Sequence, residues 1–275
     1  MTRRDLLFVG GAVCVRAQSA DGIRDIITKN GYCGWPTVAR RSNGDLVLAW
    51  SGNRESHVCP FGTVNYAVSK DEGETWSWPR VIMDSDIDDR DAGIAETERG
   101  TLLVTTFTSL AYEAALDRKK EKPPSWEAVQ RRLSPADRKA LLGCWMLRST
   151  DGGVSWSPPY RVPVNSPHGP VAAPGGRLLY AGKDLWGGGR VAFSESTDDG
   201  VTWRLLSDIP ARKGDNPNAY HELHAVALDA KRIVVHIRNH NERNAGETLQ
   251  CESSDGGGRG RNRVRSMFGV CRRIS

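Results

Sequence analysis

Four short clusters in this chain carry the residue types that perform acid–base and anion-binding chemistry. They are Trp50-Ser51-Gly52-Asn53-Arg54-Glu55-Ser56-His57, Asp88-Asp89-Arg90-Asp91, Asn165-Ser166-Pro167-His168-Gly169-Pro170, and Tyr220-His221-Glu222-Leu223-His224 with Arg238-Asn239-His240. A positioned carboxyl group exchanges protons with a reacting oxygen. Arginine grips a carboxylate with two parallel N–H bonds. In the last cluster Val234, His236, Arg238 and His240 alternate with Val235, Ile237 and Asn239. Strand alternation makes one face cationic and the other largely apolar, and a cationic face turned to a channel suits an anion such as a sugar carboxylate. The candidate catalytic carboxylates are Glu222, Asp89 and Asp91; the candidate substrate contacts are Arg54, Arg90, His168, His224, Arg238 and His240. Arg90 among three aspartates reads as a structural ion-pair turn or as part of a catalytic group. No metal or other cofactor is expected: the histidines lack the His-Glu-x-x-His order of a zinc protease, and alternation sets His221 and His224 on opposite strand faces.

The elements that position these clusters announce themselves by repetition. The phrase Ser-x-Asp-x-Gly-x-(Ser/Thr)-Trp occurs at Ser69–Trp76, Ser149–Trp156 and Ser196–Trp203, and a fourth copy begins at Ser253 and breaks off after Gly257. Strand-like runs flank the first copy, Val64–Val68 before it and Pro79–Ile82 after it, so the phrase is a hairpin turn. Asp71, Asp151 and Asp198 suit side-chain bonds to the backbone of the turn. Gly73, Gly153 and Gly200 supply the positive φ, and Trp76, Trp156 and Trp203 are apolar plates that pack across the hairpin. The aspartates at 71, 151, 198 and 255 are spaced by 80, 47 and 57 residues. A four-stranded propeller blade takes about 40–50 residues, so the first spacing holds an insertion.

This phrase is the Asp-box (BNR repeat), and the chain resembles the sialidase (neuraminidase) superfamily over roughly residues 31–257. The resemblance implies an all-β, six-bladed propeller of which about four blades are present, and a glycoside hydrolase of the exo-α-sialidase kind acting on an acidic or substituted glycan. Sialidases hold the substrate carboxylate with three arginines and use an aspartate as acid/base and a glutamate-activated tyrosine as nucleophile. Glu222 and Arg238 resemble the family's Glu followed some sixteen residues later by Arg, and Gly52-Asn53-Arg54 resembles its Glu-Gly-Arg segment. Two parts depart from the pattern. Gly34-Trp35-Pro36 stands where Arg-Ile-Pro belongs, and Gly62-Thr63-Val64 stands where the acid/base aspartate belongs. Glu55, Asp89 and Asp91 are the candidates to replace it. A noncatalytic carbohydrate-binding propeller and an inactive truncated fragment are the alternatives.

Residues 110–143 fill the long first spacing as a small helical insertion. Ser134-Pro135-Ala136-Asp137 opens one helix with an N-cap serine, a first-turn proline and a capping aspartate; the insertion is expected on the propeller rim or over its pore. The start, Arg3-Arg4 before an apolar run, reads as a twin-arginine or secretory signal over residues 1–20, implying export to the periplasm or beyond; without it the protein would be cytoplasmic. No other segment is apolar enough to span a membrane. Residues 258–275 hold six arginines and no acid. Permissible codons for that stretch, shifted by two bases, spell Thr-Trp-Ser-Glu-Pro, the continuation a fourth box would have, so a frameshift after Gly257 is expected. The chain of 275 residues carries 38 Lys+Arg against 33 Asp+Glu; without the tail arginines the balance is 32 to 33. The basic excess therefore belongs to the tail, and a nucleic-acid partner is not expected. Cys33 and Cys59 read as free thiols rather than a pair.

Overall fold

The computed structural model describes residue 26, residues 31–244 and 246–256, and residues 272–273. The expected signal at 1–20 lies outside them, as does the 258–275 tail apart from 272–273. Four antiparallel four-stranded sheets follow one another along the chain, each a meander in sequence order. Sheet 1 is β1 (Tyr32–Arg40), β2 (Leu46–Arg54), β3 (Thr63–Ser69) and β4 (Arg80–Met83). Sheet 2 is β5 (Asp88–Glu96), β6 (Leu102–Ser109), β7 (Cys144–Ser149) and β8 (Tyr160–Arg161). Sheet 3 is β9 (Val171–Ala173), β10 (Arg177–Lys183), β11 (Val191–Ser196) and β12 (Arg204–Asp208). Sheet 4 is β13 (Tyr220–Ala227), β14 (Ile233–Asn239), β15 (Thr248–Ser253) and β16 (Arg272–Arg273). These are four propeller blades.

A separate apolar core fills each gap between successive sheets. Val47, Ala49, Val64 and Tyr66 of sheet 1 meet Ile94, Leu102, Val104 and Leu147 of sheet 2. Leu103 and Met146 of sheet 2 meet Leu178, Tyr180 and Ala192 of sheet 3. Leu179, Ala181 and Phe193 of sheet 3 meet Leu223, Ala225, Val235, Ile237 and Leu249 of sheet 4. A strand covered on both faces must be apolar at successive positions, because its side chains alternate between the faces. This explains the runs Leu102-Leu103-Val104 and Leu178-Leu179-Tyr180-Ala181, all buried. Each full burial of a leucine-sized side chain contributes about 1.5–3 kcal/mol. On β14, Ile233, Val235 and Ile237 are buried while His236 and Arg238 are exposed, the alternation expected from sequence.

The repeated turns sit at the same corner of each sheet, between third and fourth strands. In the first, Ser69 Oγ donates to Asp71 (2.9 Å) and accepts from Gly73 N–H (2.8 Å), while Asp71 accepts from Thr75 N–H (2.8 Å) and its hydroxyl. Ser149, Asp151, Gly153 and Ser155 repeat this set, as do Ser196, Asp198, Gly200 and Thr202. The turn is more than the self-contained hairpin end that its local chemistry suggests, because each later copy is also fastened to the preceding sheet. Tyr66 and Arg80 of sheet 1 donate to the carbonyls of Gly152 and Gly153. Tyr160 and Arg148 of sheet 2 donate to those of Gly200 and Asp199. Arg177 of sheet 3 donates to Gly256 O (2.7 Å). The tryptophans pack as plates: Trp156 edge-on to Tyr66 and Trp203 edge-on to Tyr180, at centroid distances of 5.3 and 5.9 Å, and Trp76 against Leu48, Trp50 and Ala67.

The insertion forms α1 (Ala111–Asp117), α2 (Pro124–Arg132) and α3 (Pro135–Ala140) between β6 and β7. Ser134 caps α3 by accepting from Asp137 N–H (3.2 Å). Tyr112, Leu116 and Trp126 pack with Cys59 and Ile87, so the helices buttress the β2–β3 loop on the rim. Among the described residues no helix is long and apolar enough to cross a membrane.

Candidate active site

The first strands β1, β5, β9 and β13 pack beside one another around the axis. Three of them carry the same irregularity. The ladder register shifts between Gly34 and Thr37, between Arg90 and Gly93, and between His221 and His224. The residue two positions before pairing resumes has positive φ in each case: Trp35 (52°), Asp91 (56°) and Glu222 (48°). The corresponding residue before β9 is Gly169, with φ of 73°. Such bulges re-aim side chains, and non-glycine residues in this region cost of order 1–3 kcal/mol and concentrate at functional sites. Gly93 is required by a close approach: a Cβ there would lie 2.3 Å from the Gly169 backbone nitrogen, so the main chain of β5 meets the main chain before β9.

Trp35, Asp91 and Glu222 open into one cavity of about 340 Å³. Its other walls are His57, Arg90, Phe107, Asn165, Pro167, Lys183, Leu185, His221, Arg238 and His240. Arg90 lies over the Trp35 ring at 4.8 Å and over Phe107 at 5.7 Å, and its Nη2 contacts His57 Nε2 at 3.3 Å. Guanidinium N–H groups only donate, so in neutral His57 Nε2 accepts, and the ring proton sits on Nδ1, facing Tyr32 Oη at 3.1 Å. Burial, then the charges of Arg90 and Arg54, pull the His57 pKa down, which favours the neutral ring, and the Arg90 contact selects its tautomer.

Asp91 is buried, and burial pushes its pKa up to about 7 against the opposing pull of Arg90. No hydrogen bond ties its carboxyl group to another side chain among the described residues. Glu222 accepts from Arg238 Nη1 at 2.7 Å. A half-buried His221 stacks on His240 at 4.9 Å, and burial, then Lys183 and His240, depress its pKa to about 4.

Five of the sequence-derived candidates, Glu222, Asp91, Arg90, Arg238 and His240, therefore share this cavity. The others lie elsewhere. Arg54, expected at the ligand, is 2% exposed and holds Asp88 with both terminal nitrogens, at 2.7 and 2.9 Å. It also donates to Ser51 Oγ, Asp89 O and His57 O; it braces the cavity from behind. Asp89 is buried and accepts from Ser85 N–H and hydroxyl, both at 2.7 Å. His168 and His224 pair edge to face at 5.3 Å without lining the cavity. Glu55 accepts from Trp126 Nε1 at 2.7 Å. Alternation fails for His221 and His224 because the bulge intervenes: their partners Arg238 and His236 are two residues apart on β14, hence on one face. Cys33, Cys59 and Cys144 are free thiols, and no metal-ligating cluster occurs among the described residues. Lys183, Phe107 and Leu185 were not singled out from sequence. Lys183 ends β10, and the strand-end charge test that finds Arg238 on β14 would have found it.

No family model and no curated protein matches this sequence. Solved structures do match. A protein of unknown function from Dyadobacter fermentans superposes with a TM-score of 0.61 at 21% identity, over 88% of this chain and 69% of the other. A Hadza microbial sialidase gives 0.59 at 16% identity, over 86% of this chain and 45% of its own. A point mutant of the NanB sialidase from Streptococcus pneumoniae gives 0.61 at 15% identity, over 96% and 54%. The fold is that of the sialidase-like propellers. Identities this low establish the likeness in architecture only, and the chain spans about half the length of those two sialidases. Within the sialidase-like propeller, the cavity lies where propellers place function, at the mouth of the axial channel among inner-strand bulges and loops.

Proposed function

We propose that this cavity takes an acidic sugar and hydrolyses its glycosidic bond, as a sialidase-like glycoside hydrolase. The observation that carries the reading is the meeting of Asp91 and Glu222, each re-aimed by an inner-strand bulge, in one cavity beside Arg90 and Arg238. Two carboxyl groups in different environments are the requirement for glycosidic cleavage. Asp91, protonated up to about pH 7, donates its proton to the leaving oxygen as the C–O bond breaks. Glu222 accepts a proton from a water whose oxygen forms the new bond to the anomeric carbon as the leaving sugar departs. Arg90 and Arg238 offer charge-assisted hydrogen bonds to the acidic substituent, and Trp35 gives the ring an apolar wall. Arg54 keeps Arg90's neighbours in place rather than meeting the glycan.

One observation favours a noncatalytic glycan-binding propeller instead. Among the described residues no tyrosine lines the cavity, whereas the sialidase resemblance implies a tyrosine nucleophile. A panel of chromogenic glycosides with and without a carboxylate decides between them. Aglycone release confined to the acidic sugars, lost in Asp91→Asn and in Glu222→Gln, supports the hydrolase. Retention of acidic glycans without release supports the binder, and indifference to the carboxylate overturns both.

A further inference from the structure

The cavity's positive groups come from all four sheets, and Arg238 lies beside His221 as its cross-strand partner. Sheets 1 and 2 supply Arg90 with His57, stacked on Trp35 and Phe107. Sheets 3 and 4 supply Lys183 at the end of β10 and the stacked pair His221 and His240. Asp91 from sheet 2 and Glu222 with Arg238 from sheet 4 lie along the same cavity wall. Lys183 is half-buried, and its ammonium group is anchored on Asn218 O at 2.5 Å. That bond engages one of its three donors; no carboxylate forms a salt bridge with it among the described residues. A single sugar acid needs only one cationic clamp, and Arg90 with Arg238 already provides it. Lys183, His221 and His240 are therefore surplus to the reading above, on which this inference rests.

We infer that Lys183, His221 and His240 form a second anion subsite, so that the preferred ligand is a glycan bearing acidic groups on two neighbouring sugars. An anion seated there takes N–H bonds from Lys183 and from the imidazoles of the His221–His240 pair. The groups facing that pair are Lys183, Glu222 and Arg238.

The test compares binding of sialic acid and of its α2,8-linked dimer, by calorimetry, to Asp91→Asn protein so that the linkage stays intact. The expected result is a dimer affinity about tenfold above the monomer's. Lys183→Met should erase that advantage while leaving the monomer's affinity unchanged. Equal affinity for both sugars, or a parallel loss for both in Lys183→Met, overturns the second subsite and leaves the first intact. Failure of both sugars to bind removes the acidic-sugar reading and this inference together.

Discussion

Asp91 and Glu222 are structural equivalents in two different sheets. Each lies two residues before the pair at which its bulged strand rejoins its neighbour, Gly93 with Thr105 and His224 with His236. Each has positive φ, 56° and 48°. The repeat thus delivers a carboxyl group to the axis twice by one backbone device, and a tryptophan once, at Trp35.

That device stores strain, which glycine releases. Glu222→Gly should raise the midpoint of thermal unfolding, by relief on the order of 1 kcal/mol, while abolishing glycan turnover. The Arg238 pair it removes is half exposed, at 55% and 32%, and is worth little in stability. A lowered melting temperature would show that the bulge is set by the Glu222 side chain rather than endured by it.

Burial raises the pKa of both Asp89 and Asp91 to about 7. Between the ordinary carboxylate range and 7, the folded protein holds protons that the unfolded chain has released. Stability must then fall as pH rises across that window. Asp89→Asn or Asp91→Asn should each flatten the fall in a series of urea melts from pH 4 to 8. Turnover should follow the same sign, since an acid must keep its proton: kcat/KM drops as pH climbs through about 7. A rising limb there would exclude Asp91 as the proton donor.

The Arg54–Asp88 pair is fully buried. Removing one partner strands a charge and costs about 3–5 kcal/mol. Arg54→Met should therefore lower denaturant stability sharply, and the Arg54→Met, Asp88→Asn double variant should recover part of it. Gly62→Ala should mimic the loss, because a Cβ there would lie 2.1 Å from Arg54 Nη1. Indifference to all three would mean the pair does not brace the β2–β3 loop.

Gly200 combines φ of 82° with Leu103 at 2.8 Å from any Cβ it might gain. Gly200→Ala should destabilise by on the order of 1–3 kcal/mol and loosen sheet 3 from sheet 2. Hydrogen exchange should show it as faster exchange at Val201 and along β7. Exchange confined to the turn itself would mean that the fastening by Tyr160 and Arg148 is secondary.

The repeat, the four sheets and the helical insertion were legible in the chain because each rests on local chemistry. A Ser-x-Asp-x-Gly turn makes its own hydrogen bonds, and Ser134 caps its own helix. Arg238 and His240 were legible too, through alternation along and just past β14, and Glu222 through its spacing from Arg238. Arg54 was misplaced because burial is invisible to spacing: the same charge that could meet a ligand meets Asp88 first. Lys183 escaped notice because it stands alone at the end of β10, outside the four charged clusters.

Sequence alone determined the blades, since turn geometry and strand alternation act within a few residues. It did not determine which charges face the axis. That choice was made only when inner-strand bulges turned Asp91 and Glu222 toward each other, and when dense packing buried Arg54. Both are consequences of sheets packing their apolar faces against one another, an effect on the order of whole side chains' burial energies that outweighs the preference of any single residue.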